Sequence, residues 1–189
     1  MRFCAVFALA TVACAGNTGT PNADPNGPHA ANEKVIAHGG TLQLDAWPQN
    51  GVEVRGDKVY VWVFLEGNEG TGDALAEQAK TQASELLRVF VDTAAQQLDL
   101  QLQALGQEPA TTTESDALRG QVATTLALGD GERAWQNLMR EDQPLCRVFM
   151  RFTLGANRLA GAIEASLGSR PHKADVAKKV LASFDPDVR

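Results

Sequence analysis

Val59 to Leu65 reads VYVWVFL. Three valines alternate with Tyr60, Trp62 and Phe64, and the run is too short for a buried helix. Such residues pack well on a pleated surface, so the stretch predicts an interior β-strand. Val52 to Arg55 precedes it across Gly56-Asp57, turn chemistry that predicts a hairpin. The turn also spells Arg55-Gly56-Asp57, the tripeptide integrins recognise, but the hairpin's own need for Gly and Asp accounts for it. Upstream lies Ala46-Trp47-Pro48. The segment from Asn32 to Gln43, with its Gly39-Gly40 turn signal, fits either a helix turn or an edge strand.

Downstream, a Gly-rich link from Gly67 to Gly72 leads into a long apolar stripe. Leu75, Ala79, Ala83, Leu86, Leu87, Phe90, Val91, Ala94, Leu98, Leu102 and Leu105 recur at threes and fours, which predicts one amphipathic helix. Thr71 or Asp73 supplies its cap, and Gly106 and Pro109 end it. The Ala-rich first half predicts close approach to a sheet. Leu98, Leu100 and Leu102 also alternate as a strand would, but the helical stripe continues in phase. Thr111 to Thr113 opens a second helix over roughly 114–127, weakened by Gly120 and Thr124-Thr125.

Ala134 to Met139 and Leu145 to Leu154 form a second predicted hairpin about a polar turn at Glu141 to Pro144. In LCRVFMRFTL, Arg147, Phe149 and Arg151 share one face and Val148, Met150 and Phe152 the other. That alternation predicts one face partly open to solvent. Amphipathic helices over Asn157 to Leu167 and Asp175 to Phe184 follow, separated by a turn at Gly168 to Pro171. Ala46-Trp47 through Gly67 and Ala134-Trp135 through Gly155 superpose at one constant offset, each as Ala-Trp, hairpin, Gly and helix. Duplication of a ββα unit explains the echo, as does the ordinary build of an α+β domain. The expected fold is a two-layer α+β domain, an antiparallel sheet from two hairpins with helices packed mainly on one face.

The chain opens MRFCAVFALATVACA. Arg2, an apolar run from Phe3 to Val12 and small residues around Cys14 have the layout of a secretory signal. The run is about half the ~20 apolar residues of a membrane-spanning helix. Val12, Ala13 and Cys14 resemble the end of a bacterial lipoprotein signal, although Thr11 stands where that family usually has Leu. The resemblance implies cleavage before Cys14 and its acylation by lipid. Ala15 replaces the Asp that retains such proteins at the inner membrane, which implies the outer membrane. An A-x-A reading of Ala13-Cys14-Ala15 instead puts the cut before Gly16 with no lipid, and an uncleaved apolar segment is the third reading. GNTGTPNADPNGPHAA, Gly16 to Ala31, is rich in Gly, Pro and Asn and reads as a tether. The expected organisation is thus a signal over 1–13, a lipidated Cys14 and tether over 14–31, and one globular domain over 32–189.

A second resemblance rests on Ala76, Ala79 and Ala83, on Trp135, and on Val148 to Leu154 followed by Leu159 and Ile163. These look like small outer-membrane lipoproteins related to the N-terminal domain of flagellar assembly protein T. The resemblance implies an envelope protein with a structural, assembly or binding role and no catalytic site.

A formal net charge of −6 argues against nucleic-acid partners. With Cys4 and Cys14 in the signal, Cys146 is the domain's one cysteine. It sits in an apolar run, so it reads as a buried small hydrophobe outside any disulfide framework. His29, His38 and His172 lack metal-ligand spacing, and no nucleophile elbow or phosphate loop occurs. The Gly67 to Gly72 link has the place of an anion site, but Glu66, Glu69 and Asp73 would repel a phosphate. Glu141-Asp142 reads as a solvated loop, and Trp47, Trp62 and Trp135 as core or hairpin residues or as the lining of a ligand cleft. No cofactor or metal is therefore expected. The leading functional expectation is a lipid-anchored envelope protein, held to the membrane through Cys14 and acting on an envelope partner. The alternative is an unanchored periplasmic or secreted enzyme with a site built from scattered residues.

Overall fold

VYVWVFL lies within an eleven-residue strand, as its alternation predicts, and the sheet is built outward from it. The structure is a computed structural model, and it describes residues 27, 29–44, 49–68, 72–125 and 128–185. The strands are β1 (Glu33–Gly40), β2 (Gly51–Arg55), β3 (Lys58–Asn68), β4 (Glu132–Arg140) and β5 (Gln143–Gly155). The helices are α1 (Gly72–Ala104), α2 (Thr112–Thr125), α3 (Ala156–Ser166) and α4 (Lys173–Ala182). The five strands form one sheet in the order β1-β4-β5-β3-β2, every neighbouring pair antiparallel. Both predicted hairpins are present, joined through β3 and β5. The result is the expected α+β fold, with helices packed on one sheet face.

Val59, Val61 and Val63 of β3 and Cys146, Val148, Met150, Phe152 and Leu154 of β5 point into the main core. They meet α1, whose buried stripe includes Leu75, Ala79, Ala83, Leu87, Phe90, Val91, Ala94, Leu98 and Leu102. The helix holds through Leu98 to Leu102, so the in-phase stripe prevails over the local alternation. Small side chains at Ala76, Ala79 and Ala83 let its first half lie close to the strands, because packing to interior density requires backbones to approach. Gly106, at φ +70°, ends α1. Its N–H donates to the Gln103 carbonyl and that of Gln107 to the Leu102 carbonyl, the pairing of a Schellman motif.

Thr111 and Glu114 form a reciprocal capping box at the start of α2. The Glu114 N–H donates to Thr111 Oγ1 at 3.2 Å and the Thr111 N–H to Glu114 Oε2 at 2.7 Å. Arg170, in the turn after α3, donates to both Glu114 oxygens and to the Glu108 and Pro109 carbonyls. This clamp ties the α1–α2 loop to the α3–α4 turn. It holds the Glu114 carboxyl at about 2, chiefly through the Arg170 hydrogen bonds, against some desolvation and with help from Thr111.

The undecided segment after Asn32 is an edge strand, β1, paired with β4 and interrupted by a register shift between Val35 and Ala37. At its end Gly40 has φ +113°, and a Cβ there would lie 2.1 Å from the Arg133 carbonyl oxygen. The same oxygen accepts the N–H groups of Thr41 and Leu42, which bends the chain out of the sheet.

The ββα echo holds in outline, since β2-β3-α1 and β4-β5-α3 share a layout about the β3/β5 pair. In register it does not hold. The turns at Gly56-Asp57 and Glu141-Asp142 fail to superpose at the spacing that aligns Gly67 with Gly155. Ala46 and Trp47 lie outside the described residues.

Candidate functional site

The sheet face opposite the helices carries the residues that β3, β4 and β5 turn away from the core. The expected partly open face is open at Arg151 and Thr153 and closed at Arg147 and Phe149. Arg147 and Phe149 are both fully buried, and Arg151 retains partial exposure. Phe149 packs against Phe64, ring centroids 5.2 Å apart. Arg147 is buried because β1, the element that the sequence left undecided, brings Glu33 onto this face.

Glu33 of β1, Glu66 of β3, Arg140 of β4 and Arg147 of β5 form a closed quartet in which each arginine bridges both carboxylates. Arg147 donates to Glu33 at 2.6 and 3.0 Å and to Glu66 at 2.9 and 3.0 Å. Arg140 donates to Glu33 at 2.6 and 2.8 Å and to Glu66 at 2.8 and 2.9 Å. The Ala30 N–H adds a further bond to Glu33 at 2.8 Å. Burial alone would raise the Glu33 carboxyl. The bonds from Arg147, Ala30 and Arg140 outweigh it and hold the group at about 2. Glu66 is lowered in the same way, burial being overcome by Arg140 and Arg147. Two carboxylates that share strong donors in this manner both stay ionised. General acid–base work needs one of a pair raised toward neutrality, so this quartet is built for holding strands together.

Beyond Phe64 and Phe149 a second row crosses the sheet. Glu132 accepts from Arg151, whose guanidinium lies over Trp62 and Tyr60, and the Trp62 indole N–H donates to Glu53 at 2.9 Å. The row runs through β4, β5, β3 and β2 and combines ion pairing with cation–π contact.

The clefts are open. One of about 340 Å³ lies between Val54 and Gly56 on one side and α3 and α4 on the other. Another, of about 180 Å³, lies at the start of α1 between Asp73, Arg133, Trp135, Asn137 and Cys146. Cys146 is buried, as expected, and no histidine lines this cleft.

The remaining sequence candidates do not converge. Trp62 is on the helix-free face, whereas Trp135 packs against the main core, and Trp47 lies outside the described residues. Residues 69–71 of the Gly-rich link are outside them too. Asp73 is paired with Arg133 at 2.9 Å. Glu141-Asp142 is an exposed turn. Among the described residues no group of three His, Cys, Asp or Glu side chains could hold a metal, and no helix is long and apolar enough to cross a membrane. Cys14 is outside the described residues. Sequence reasoning missed the quartet. Its one trace is a lone Arg147 between apolar Cys146 and Val148, which identifies no partner.

No family model, no curated protein and no solved structure matches the chain.

Proposed function

We propose that the protein is a lipid-anchored component of a bacterial cell envelope, held at the outer membrane through an acylated Cys14 and acting by binding or assembly. The observation that carries this reading is the sequence order: Arg2, the apolar run Phe3 to Val12, Cys14, a Gly/Pro/Asn-rich tether, then a folded domain whose first strand begins at Glu33. Acyl chains contribute about 0.8 kcal/mol per buried CH₂, so two or more chains hold the N-terminus stably in a bilayer. The Gly/Pro/Asn-rich segment that follows Cys14 then lets the domain search for partners near the membrane surface. A largely buried quartet of locked charges suits a rigid scaffold better than proton transfer.

The test is the intact mass of the protein recovered from membranes of a bacterial host, beside Cys14→Ala. A triacylated N-terminus at Cys14, with the variant released or retained as precursor, supports the reading. An unmodified chain beginning at Gly16 overturns it and puts soluble-enzyme assays first.

A further inference from the structure

The β2–β3 hairpin is fastened at its open end by a side chain. The ladder between the two strands runs from Arg55 opposite Lys58 to Gly51 opposite Trp62. Continued at that register, Phe64 would stand opposite Gln49. Asn50 takes the place of that main-chain partner with its side-chain amide. Its Oδ1 accepts from the Phe64 N–H, and its Nδ2 donates to the Phe64 carbonyl at 3.4 Å. An amide carries an acceptor and a donor side by side, as a peptide group does, so it extends the ladder by one rung. Asn50 is exposed, and β2 is an edge strand of the sheet.

Glycine follows this asparagine, and the order has a chemical consequence. The main-chain nitrogen after an asparagine can attack its side-chain Cγ. Glycine resists this least, because no Cβ shields the nitrogen and the backbone turns freely into the geometry of the ring. Solvent removes the Gly51 N–H proton, the nitrogen bonds to Asn50 Cγ, and the Cγ–Nδ2 bond breaks. Nδ2 takes up a proton from solvent and leaves as ammonia. Water then opens the resulting succinimide at either carbonyl. One opening leaves aspartate, the other isoaspartate, whose main chain runs through Cγ. The net change is one water consumed and one ammonia released, with no oxidant or reductant.

The fold controls when this reaction occurs. In the paired strand the amide is held toward Phe64 and Gly51 faces Trp62, so nitrogen and Cγ meet only when the last rung opens. That rung is exposed and lies at the end of an edge strand, where local opening costs least. The product does not close again in the same way. A carboxylate accepts but cannot donate, so the Phe64 carbonyl loses the Asn50 donor and faces an anion. The isoaspartyl form also adds a methylene to the main chain just ahead of β2. We propose that Asn50-Gly51 is a site of spontaneous deamidation, admitted by fraying at the end of β2, whose product releases that end of the strand from β3. The inference goes beyond the anchor at Cys14 and does not depend on it.

The experiment is incubation of the full chain in mildly alkaline buffer at body temperature, folded and in urea, with tryptic peptides weighed at intervals. Cleavage after Lys34 and Arg55 yields a peptide in which Asn50 is the sole asparagine, separate from the Asn26-Gly27 pair. The expected result is conversion of Asn50 to aspartate and isoaspartate in the folded protein, several-fold slower than in urea. Gly51→Val should slow it about tenfold or more in both, since a branched side chain shields the nitrogen and stiffens the backbone. Conversion in urea with Asn50 intact in the folded protein overturns the proposal. So does a rate in urea that Gly51→Val leaves unchanged. Deamidated and intact forms, separated by anion exchange, are then compared by hydrogen exchange. Faster exchange at Gly51 and Phe64 in the deamidated form supports release of the strand end, and identical exchange overturns it. Peptide mass reads this site and N-terminal mass reads the anchor, so the two proposals fail separately.

Discussion

Arg147 Nη2 lies 2.6 Å from Glu33 Oε1, both side chains are sealed from solvent, and 114 residues of chain separate them. This contact fastens the first strand of the domain, β1, across β4 to the middle strand of the sheet. A buried pair of this kind repays its desolvation only when the remaining donors and acceptors are also satisfied, and Glu66 and Arg140 complete that requirement.

Arg147→Met is therefore expected to destabilise the fold by about 3–5 kcal/mol, because it leaves Glu33 buried with Arg140 as its remaining cation. Adding Glu33→Leu should recover part of that loss, since an apolar pair leaves no charge unpaired. Urea denaturation of wild type, both single variants and the double variant measures the coupling. Simple additivity of the two losses would show that the pair does not act as a unit.

Stability should fall steeply in acid. Glu33 and Glu114 are held at about 2 in the folded protein against an ordinary value of 4.5, and Glu66 is lowered as well. The unfolded chain therefore binds more protons through this range. The stabilisation is fully present above about pH 4.5 and is lost as pH falls toward 2. Thermal melts between pH 7 and 2 should show this, and Glu114→Gln should be less stable at pH 7 with a shallower acid dependence. An unchanged slope in that variant would remove Glu114 from the acid transition.

The β4–β5 hairpin turns through Glu141 at φ +49° and Asp142 at φ +61°. Two successive positive φ values define a two-residue turn that favours Asn-Gly, because a Cβ is strained there. Glu141→Asn with Asp142→Gly should raise stability by about 1 kcal/mol, seen as a higher denaturation midpoint at unchanged slope.

Gly40→Ala should be among the more damaging single changes on the sheet edge. It forces a Cβ against the Arg133 carbonyl oxygen at a φ that L-residues avoid, a strain of about 2–3 kcal/mol. Hydrogen exchange should report loss of protection along β1 and β4 before the rest of the sheet. Gly129→Ala, whose added Cβ meets nothing within 4 Å among the described residues, serves as the control.

The elements that could be read from the chain alone are those whose signal is local. VYVWVFL alternates with the period of a strand, the stripe from Leu75 to Leu105 recurs with that of a helix, and Gly106 or Thr111 ends or begins a helix through bonds within a few residues. The same locality gave Cys146 its buried place and both hairpins their turns. The strand order β1-β4-β5-β3-β2, the strand identity of Glu33–Gly40, the opposite faces of Trp62 and Trp135 and the burial of Arg147 were decided by tertiary structure. Glu33 to Gly40 has no dominant period of its own and becomes a strand by pairing with β4. An arginine among apolar residues is equally consistent with a solvated face or a buried ion pair. Which one it adopts depends on whether carboxylates from distant strands arrive to neutralise it, and sheet pairing across a hundred residues brings them there.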